Sequence, residues 1–153
     1  MGQLCILPCG NKKIWDKKGE IGPVRARDAY IGTFHNLCEQ YAEKFFDRWV
    51  ILSAKYGYLL PNDIVKGNYD VTFNKKSNEI ISIDELKNQV KKKQLYQNDG
   101  IVVLTGKKYI EVVTKSFETE LTIQFPLIKC KGIGYMQQEL KSAIELSQPI
   151  HRT

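Results

Sequence analysis

The chain has 153 residues, a net charge of +6, and 42% apolar against 26% charged residues, enough for one domain with its own core. No apolar run reaches the length of about 18 residues that a membrane span needs, so neither a transmembrane helix nor a membrane partner is expected. The start, "MGQLCILPCGNKK", has no basic stretch before its apolar run and no small-residue cleavage site, so no signal peptide is expected; four cysteines in that setting predict free thiols and a cytoplasmic location.

"QLCILP", residues 3 to 8, is a short apolar run closed by Pro8 and predicts a first buried strand. A charged, glycine-containing loop follows to about residue 31. Tyr30, Phe34, Leu37, Cys38, Tyr41, Ala42 and Phe45 then recur at spacings of three and four, which predicts a helix starting near Gly32 or Thr33. "RWVILSA" predicts the second strand. "YGYLLPNDIVKGNYDVTFNKKSNE" reads as a long loop with extended pieces, and a loop of that length in a compact domain is usually functional. "SIDE", Ser82 to Glu85, is a capping box that opens a helix carrying Leu86, Val90 and Leu95. "GIVVLTG" predicts the third strand, and Tyr109, Val112, Val113 and Phe117 the helix after it. "LTIQFP" predicts the fourth strand. Met136, Leu140, Ala143 and Ile144 give the last helix, and "SQPIHRT" reads as a fraying tail.

Strand and helix thus alternate about four times. That pattern predicts an α/β three-layer sandwich with a mostly parallel sheet of about four strands, a single domain over residues 1–147 with a tail at 148–153. Ligands of open parallel sheets bind at the carboxyl ends of the strands. Here those ends are "PCGNKK", "SAKYG", "TGKKY" and "FPLIKCKGIGY", all rich in glycine, lysine and small polar groups.

Several residues at these corners are candidates for chemistry. Gly106, before Lys107 and Lys108, would let a backbone approach a ligand, although GxxxxGK[ST] is absent and "GIGY" is too short for GxGxxG. No cofactor is therefore expected. Cys9 follows the first strand beside Gly10, Lys12 and Lys13. Nearby ammonium groups lower a thiol pKa, which makes Cys9 the candidate reactive cysteine, while a small residue packed at a strand end is the plainer alternative. Ser53 would leave the second strand with its hydroxyl at the ligand edge, Lys55 would pair with phosphate, Tyr56 would stack on a base, and Gly57 would allow a sharp turn. Tyr69 stands beside Asp70, whose carboxylate would hold a base or ribose hydroxyl, move a proton, or merely cap a loop. Tyr109 borders the lysine pair. Only His35 and His151 could join a cysteine at a metal, and neither has ligand spacing, so no metal is expected. The positive charge favours anionic partners: nucleotides, nucleic acid or acidic proteins.

"LPCGNKK", "RDAYIGTFHNLCEQYAE", "RWVILSAKYGYLLPNDIV", the later "YDVTF", "LTGKKYIEVV" and "PLIKCKGIGYMQQEL" resemble, in order, the blocks of domain-of-unknown-function family 6884, a small bacterial and phage family. "LSAKYGYLLPNDIVKGNYDV" is also similar to the "LSGLYGVLRP" block of YaaA-type peroxide-stress proteins, which are linked to DNA binding. "PCGNKK" resembles the "PCxxxK" start of a motif in archaeosine synthase, a relative of tRNA-guanine transglycosylases. Carried across, that motif's attacking lysine falls on Lys13, but Ile14 and Trp15 depart from the motif's continuation. These relatives imply a uracil-DNA-glycosylase-like fold and the handling of a nucleobase, nucleoside, nucleotide or nucleic acid. The expectation is a protein that binds or modifies such a ligand, as a lyase, transferase or glycosidase if it is an enzyme. Lys13 and Asp70 would be the acting groups, with Cys9, Gly10, Ser53, Lys55, Tyr56, Gly57, Tyr69, Gly106 and Tyr109 binding. The alternative is a non-catalytic DNA- or RNA-binding stress or phage accessory module.

Overall fold

Strand β1 (Leu4–Pro8) is buried along its whole length, as its unbroken apolar run demands: with helices on both sheet faces, neither set of alternating side chains meets water. A computed structural model describes residues 2–118 and 120–153 of the chain. After β1 come α1 (Ile14–Lys18), β2 (Val24–Arg25), α2 (Ala26–Ala29), α3 (Thr33–Phe45), β3 (Arg48–Ser53), β4 (Gly57–Leu59), β5 (Ile64–Val65), α4 (Ile83–Lys92), β6 (Ile101–Val103), α5 (Ile110–Phe117), β7 (Ile123–Gln124) and α6 (Ile133–Leu146). A 3₁₀ turn, Lys107–Tyr109, leads into α5.

The main sheet has the order β4-β3-β1-β6-β7. β3, β1, β6 and β7 run parallel, and β4 pairs antiparallel with β3 at one edge. The α/β class and the parallel strands agree with the sequence, and the hairpin strand makes the sheet mixed. β2 and β5 form a separate two-stranded antiparallel ribbon. Cys5, Leu7, Trp49, Ile51 and Val102 point to the face covered by α3 and α6. Leu4, Ile6, Val50, Leu52, Ile101 and Val103 point to the face covered by α4 and α5. This is the period-two alternation of a sheet that is buried on both sides.

The extended pieces expected in the long loop after Tyr56 are β4 and β5. Four expectations change. The loop before residue 31 holds α1, β2 and α2; elements of two to five residues are too short to show a period. "LTIQFP" forms ladder only at Ile123 and Gln124, beside Ile101 and Val102. Leu95 lies beyond the end of α4, and its amide bonds Val90 O at 2.9 Å. The tail does not fray. His151 is buried, Tyr41 Oη lies 2.5 Å from its Nδ1, its ring stacks on Phe46, and Arg152 N donates to Gln124 Oε1 at 2.8 Å. The expected start of α3 and the Ser82 cap both hold, with Ser82 Oγ accepting from Glu85 N at 3.1 Å.

Candidate functional site

The chain leaves β1 toward its neighbour β3, and leaves β6 toward β7 on the opposite side. Between β1 and β6 the connections therefore part, which opens a crevice at the carboxyl ends of those two strands. A cleft of about 610 Å³ lies there. It is lined by the loop after β1 (Gly10, Asn11, Lys12), the loop after β6 (Thr105 to Tyr109), Phe34 at the start of α3, and Ile133 and Met136 at the start of α6. Gly10 has φ +80°, a left-handed conformation that suits glycine and turns the chain sharply out of β1 at the cleft. No Asp or Glu lines the cleft, and among the described residues Lys12, Lys107 and Lys108 have no ion-pair partner.

His35 lines this cleft but is tied up behind it. Its Nδ1 lies 2.8 Å from Pro8 O and its Nε2 lies 3.1 Å from Glu39 Oε2. With each nitrogen beside an oxygen of the protein, the ring pins the turn after β1 to α3.

Behind the loop after β1 lies a buried knot of polar and aromatic groups. Ser53 Oγ accepts from Lys55 N at 3.2 Å and Tyr56 N at 3.1 Å, which fills its lone pairs, so its own proton goes to Tyr69 Oη at 2.7 Å. Tyr69 in turn donates to Tyr30. Tyr56 packs edge-on against Tyr69 with ring centroids 5.2 Å apart. Lys13 is buried, donates to Asn11 O at 3.1 Å, and holds its ammonium 4.5 Å from the Tyr69 ring centroid, a cation–π contact. Its ammonium makes no ion pair among the described residues, although the Asp16 carboxylate is close enough to feel its charge. Lys55 lies over the Tyr56 and Tyr69 rings at 5.5 and 5.8 Å. Burial pushes the phenols of Tyr30, Tyr69 and Tyr109 well above their ordinary range, so at neutral pH they act as hydrogen-bonding hydroxyls and not as phenolates.

Cys9 fits the plainer alternative of a small residue packed at a strand end: it is buried, and burial raises its pKa by more than Lys13 and Lys108 lower it. Asp70 is exposed and faces a second depression of about 450 Å³, shared with Asn11, Asp16, Asn68 and Tyr69. In it, Asp16 accepts from Lys13 N at 2.9 Å and from Asn68 Nδ2 at 2.8 Å, bonds that hold its carboxyl below the usual range.

The candidates therefore gather at the same strand ends without sharing one cavity. Gly10, Gly106 and Tyr109 line the cleft, whereas Asp70 lies across the Asn11 ridge. Cys9, Lys13, Ser53, Tyr56 and Tyr69 form the packing between or beneath them, with Lys55 lying over it. Gly57 faces away from both, against Gln89 of α4. Phe34, Ile133 and Met136 belong to the cleft but were not among the candidates. Their signal is the strand order, which places the starts of α3 and α6 beside the parting connections. No group of three or more His, Cys, Asp or Glu side chains suited to a metal occurs among the described residues, and none of their helices is long and apolar enough to cross a membrane.

A three-layer α/β fold with a basic, glycine-edged cleft at the parting of its strand connections defines the structural class. The chain belongs to the family of unknown function DUF6884, whose model matches residues 5–142. It is 52% identical over 145 residues to the uncharacterized protein YfjM of Bacillus subtilis (strain 168), covering 95% of this chain and 97% of that protein. No solved structure matches the chain.

Proposed function

We propose that the chain binds a nucleobase, nucleoside or nucleotide in the cleft between β1 and β6, in cytoplasmic nucleic-acid metabolism, and that its fold is of the uracil-DNA-glycosylase kind. The observation that carries this reading is the make-up of the cleft: the apolar side chains of Phe34, Ile133 and Met136 line it together with glycine turns and Lys12, Lys107 and Lys108, and no Asp or Glu lines it. A flat ring suits the apolar side chains, and the turn at Gly10 suits its polar edge. The likeness of "LSAKYGYLLP" and "PCGNKK" to nucleic-acid-handling proteins supports the same reading. Base modification is the reaction class those resemblances lead to. Within it, Lys13 and Asp70 act only on a ligand that reaches across the Asn11 ridge.

A thermal-shift screen of free bases, nucleosides and nucleotides tests the proposal, because a ligand of the native state stabilises it by about 2.7 kcal/mol at a hundred times its Kd. At least one compound should raise Tm, and Ile133→Asp, which puts a carboxylate on an exposed wall position, should abolish the rise. No shift from any compound at millimolar concentration contradicts it. The net charge of +6 favours a second reading, a DNA- or RNA-binding module. That reading predicts binding to any duplex or single strand that weakens steeply with salt and ignores Ile133→Asp.

A further inference from the structure

A ring alone does not account for the lysines of the cleft. Nucleobases are neutral, and an apolar wall with a few backbone groups is enough to hold one. Yet Lys12, from the loop after β1, and Lys107 and Lys108, from the loop after β6, converge on this one cleft from segments far apart in the chain. Elsewhere Lys87, Lys93 and Lys115 are each matched with a carboxylate, at 2.8, 2.9 and 2.5 Å. Among the described residues most other lysines lack an ion pair, as Lys12, Lys107 and Lys108 do; what sets these three apart is that they line one cleft that no Asp or Glu lines. They are exposed, so water screens their mutual repulsion, and an anion between them adds Coulomb attraction to all three at once.

We infer that the ligand carries a phosphate ester, held by Lys12, Lys107 and Lys108, with its ring against Phe34, Ile133 and Met136: a mononucleotide in preference to a free base or nucleoside. Lysine ammonium groups bind phosphate as point charges and need no fixed fork geometry. The cleft of about 610 Å³ falls inside the range of about 300–1,000 Å³ for small-molecule sites. Apolar side chains and ammonium groups line the same cleft, as the two ends of a nucleotide require. The inference rests on the reading of this cleft as a nucleobase site and adds the charged end of the ligand.

The test is calorimetric titration of the full chain with adenosine, guanosine, cytidine and uridine, with their 5′-monophosphates, and with inorganic phosphate. At least one monophosphate should bind about tenfold or more tightly than its nucleoside, the worth of one charge-assisted hydrogen bond. The double variant Lys107→Ala/Lys108→Ala should lose that advantage and keep its nucleoside affinity. Lys17→Ala/Lys18→Ala, which removes the same charge from exposed positions of α1, should keep both. If nucleoside and monophosphate bind equally, the phosphate seat is wrong and the nucleobase reading stands. If the two double variants lose affinity alike, the attraction is diffuse and the seat is again wrong. If nothing binds, or inorganic phosphate alone does, both the seat and the nucleobase reading fall.

Discussion

Of the glycines described, Gly57 has the tightest surroundings. Its φ is +77°, and a Cβ placed on it would sit 2.1 Å from Gln89 Oε1 and 2.7 Å from Ile81 Cδ1. Gln89 is not free to yield, since it accepts from Tyr58 N at 2.7 Å and donates to Tyr56 O at 2.8 Å. Gly57→Ala should therefore cost about 2–4 kcal/mol, the left-handed penalty plus overpacking, measured by urea denaturation; a loss under 1 kcal/mol would show that α4 moves aside freely. The turn was legible in "KYGY", because glycine at a strand corner states its own backbone requirement. Its partner was not, because Gln89 lies on another element. Cys9 shows the same limit. Its lysine neighbours are visible in "CGNKK", but the burial that outweighs them is a property of the folded chain. The hydroxyl chain from Ser53 through Tyr69 to Tyr30 joins three segments and likewise has no local signature.

At the scale of elements, long apolar periods were legible and short ladders were not. β1, β3, α3 and α4 each bury a face that a window of the sequence displays on its own. β2, β5 and β7 have two residues each and exist because a neighbouring strand lies beside them. The docked tail belongs here too. Tyr41 Oη accepts from Ile150 N at 2.9 Å and His151 N at 3.3 Å, so its proton goes to His151 Nδ1. Burial lowers the pKa of His151, and protonation removes the acceptor that Tyr41 needs. A histidine with a folded pKa below its unfolded value of about 6.5 stabilises the fold above that value, and the contribution is lost as pH falls through the lowered pKa. The stability gap between the wild type and His151→Gln, followed by thermal unfolding, should thus be widest near pH 7.5 and narrow toward about pH 5. A gap that stays constant with pH would show that the tail docks without this bond.

For the whole molecule, the strand order decides what the corners become. Alternation of strand and helix revealed a parallel α/β sheet and hence a ligand edge at the carboxyl ends. It did not reveal that β1 lies between β3 and β6, since order in a sheet is set by which helices cover which face. That order separates residues that seemed to belong together: Gly106 and Tyr109 face the cleft, and Asp70 faces its neighbour. The most direct measurement is an amide NMR titration of the isotope-labelled chain with the nucleotides of the binding screen. The account predicts shifts concentrated at Gly10, Asn11, Lys12, Gly106, Lys107 and Ile133. Shifts centred instead on Asn68 and Asp70, or spread over the lysines of α4, would contradict it.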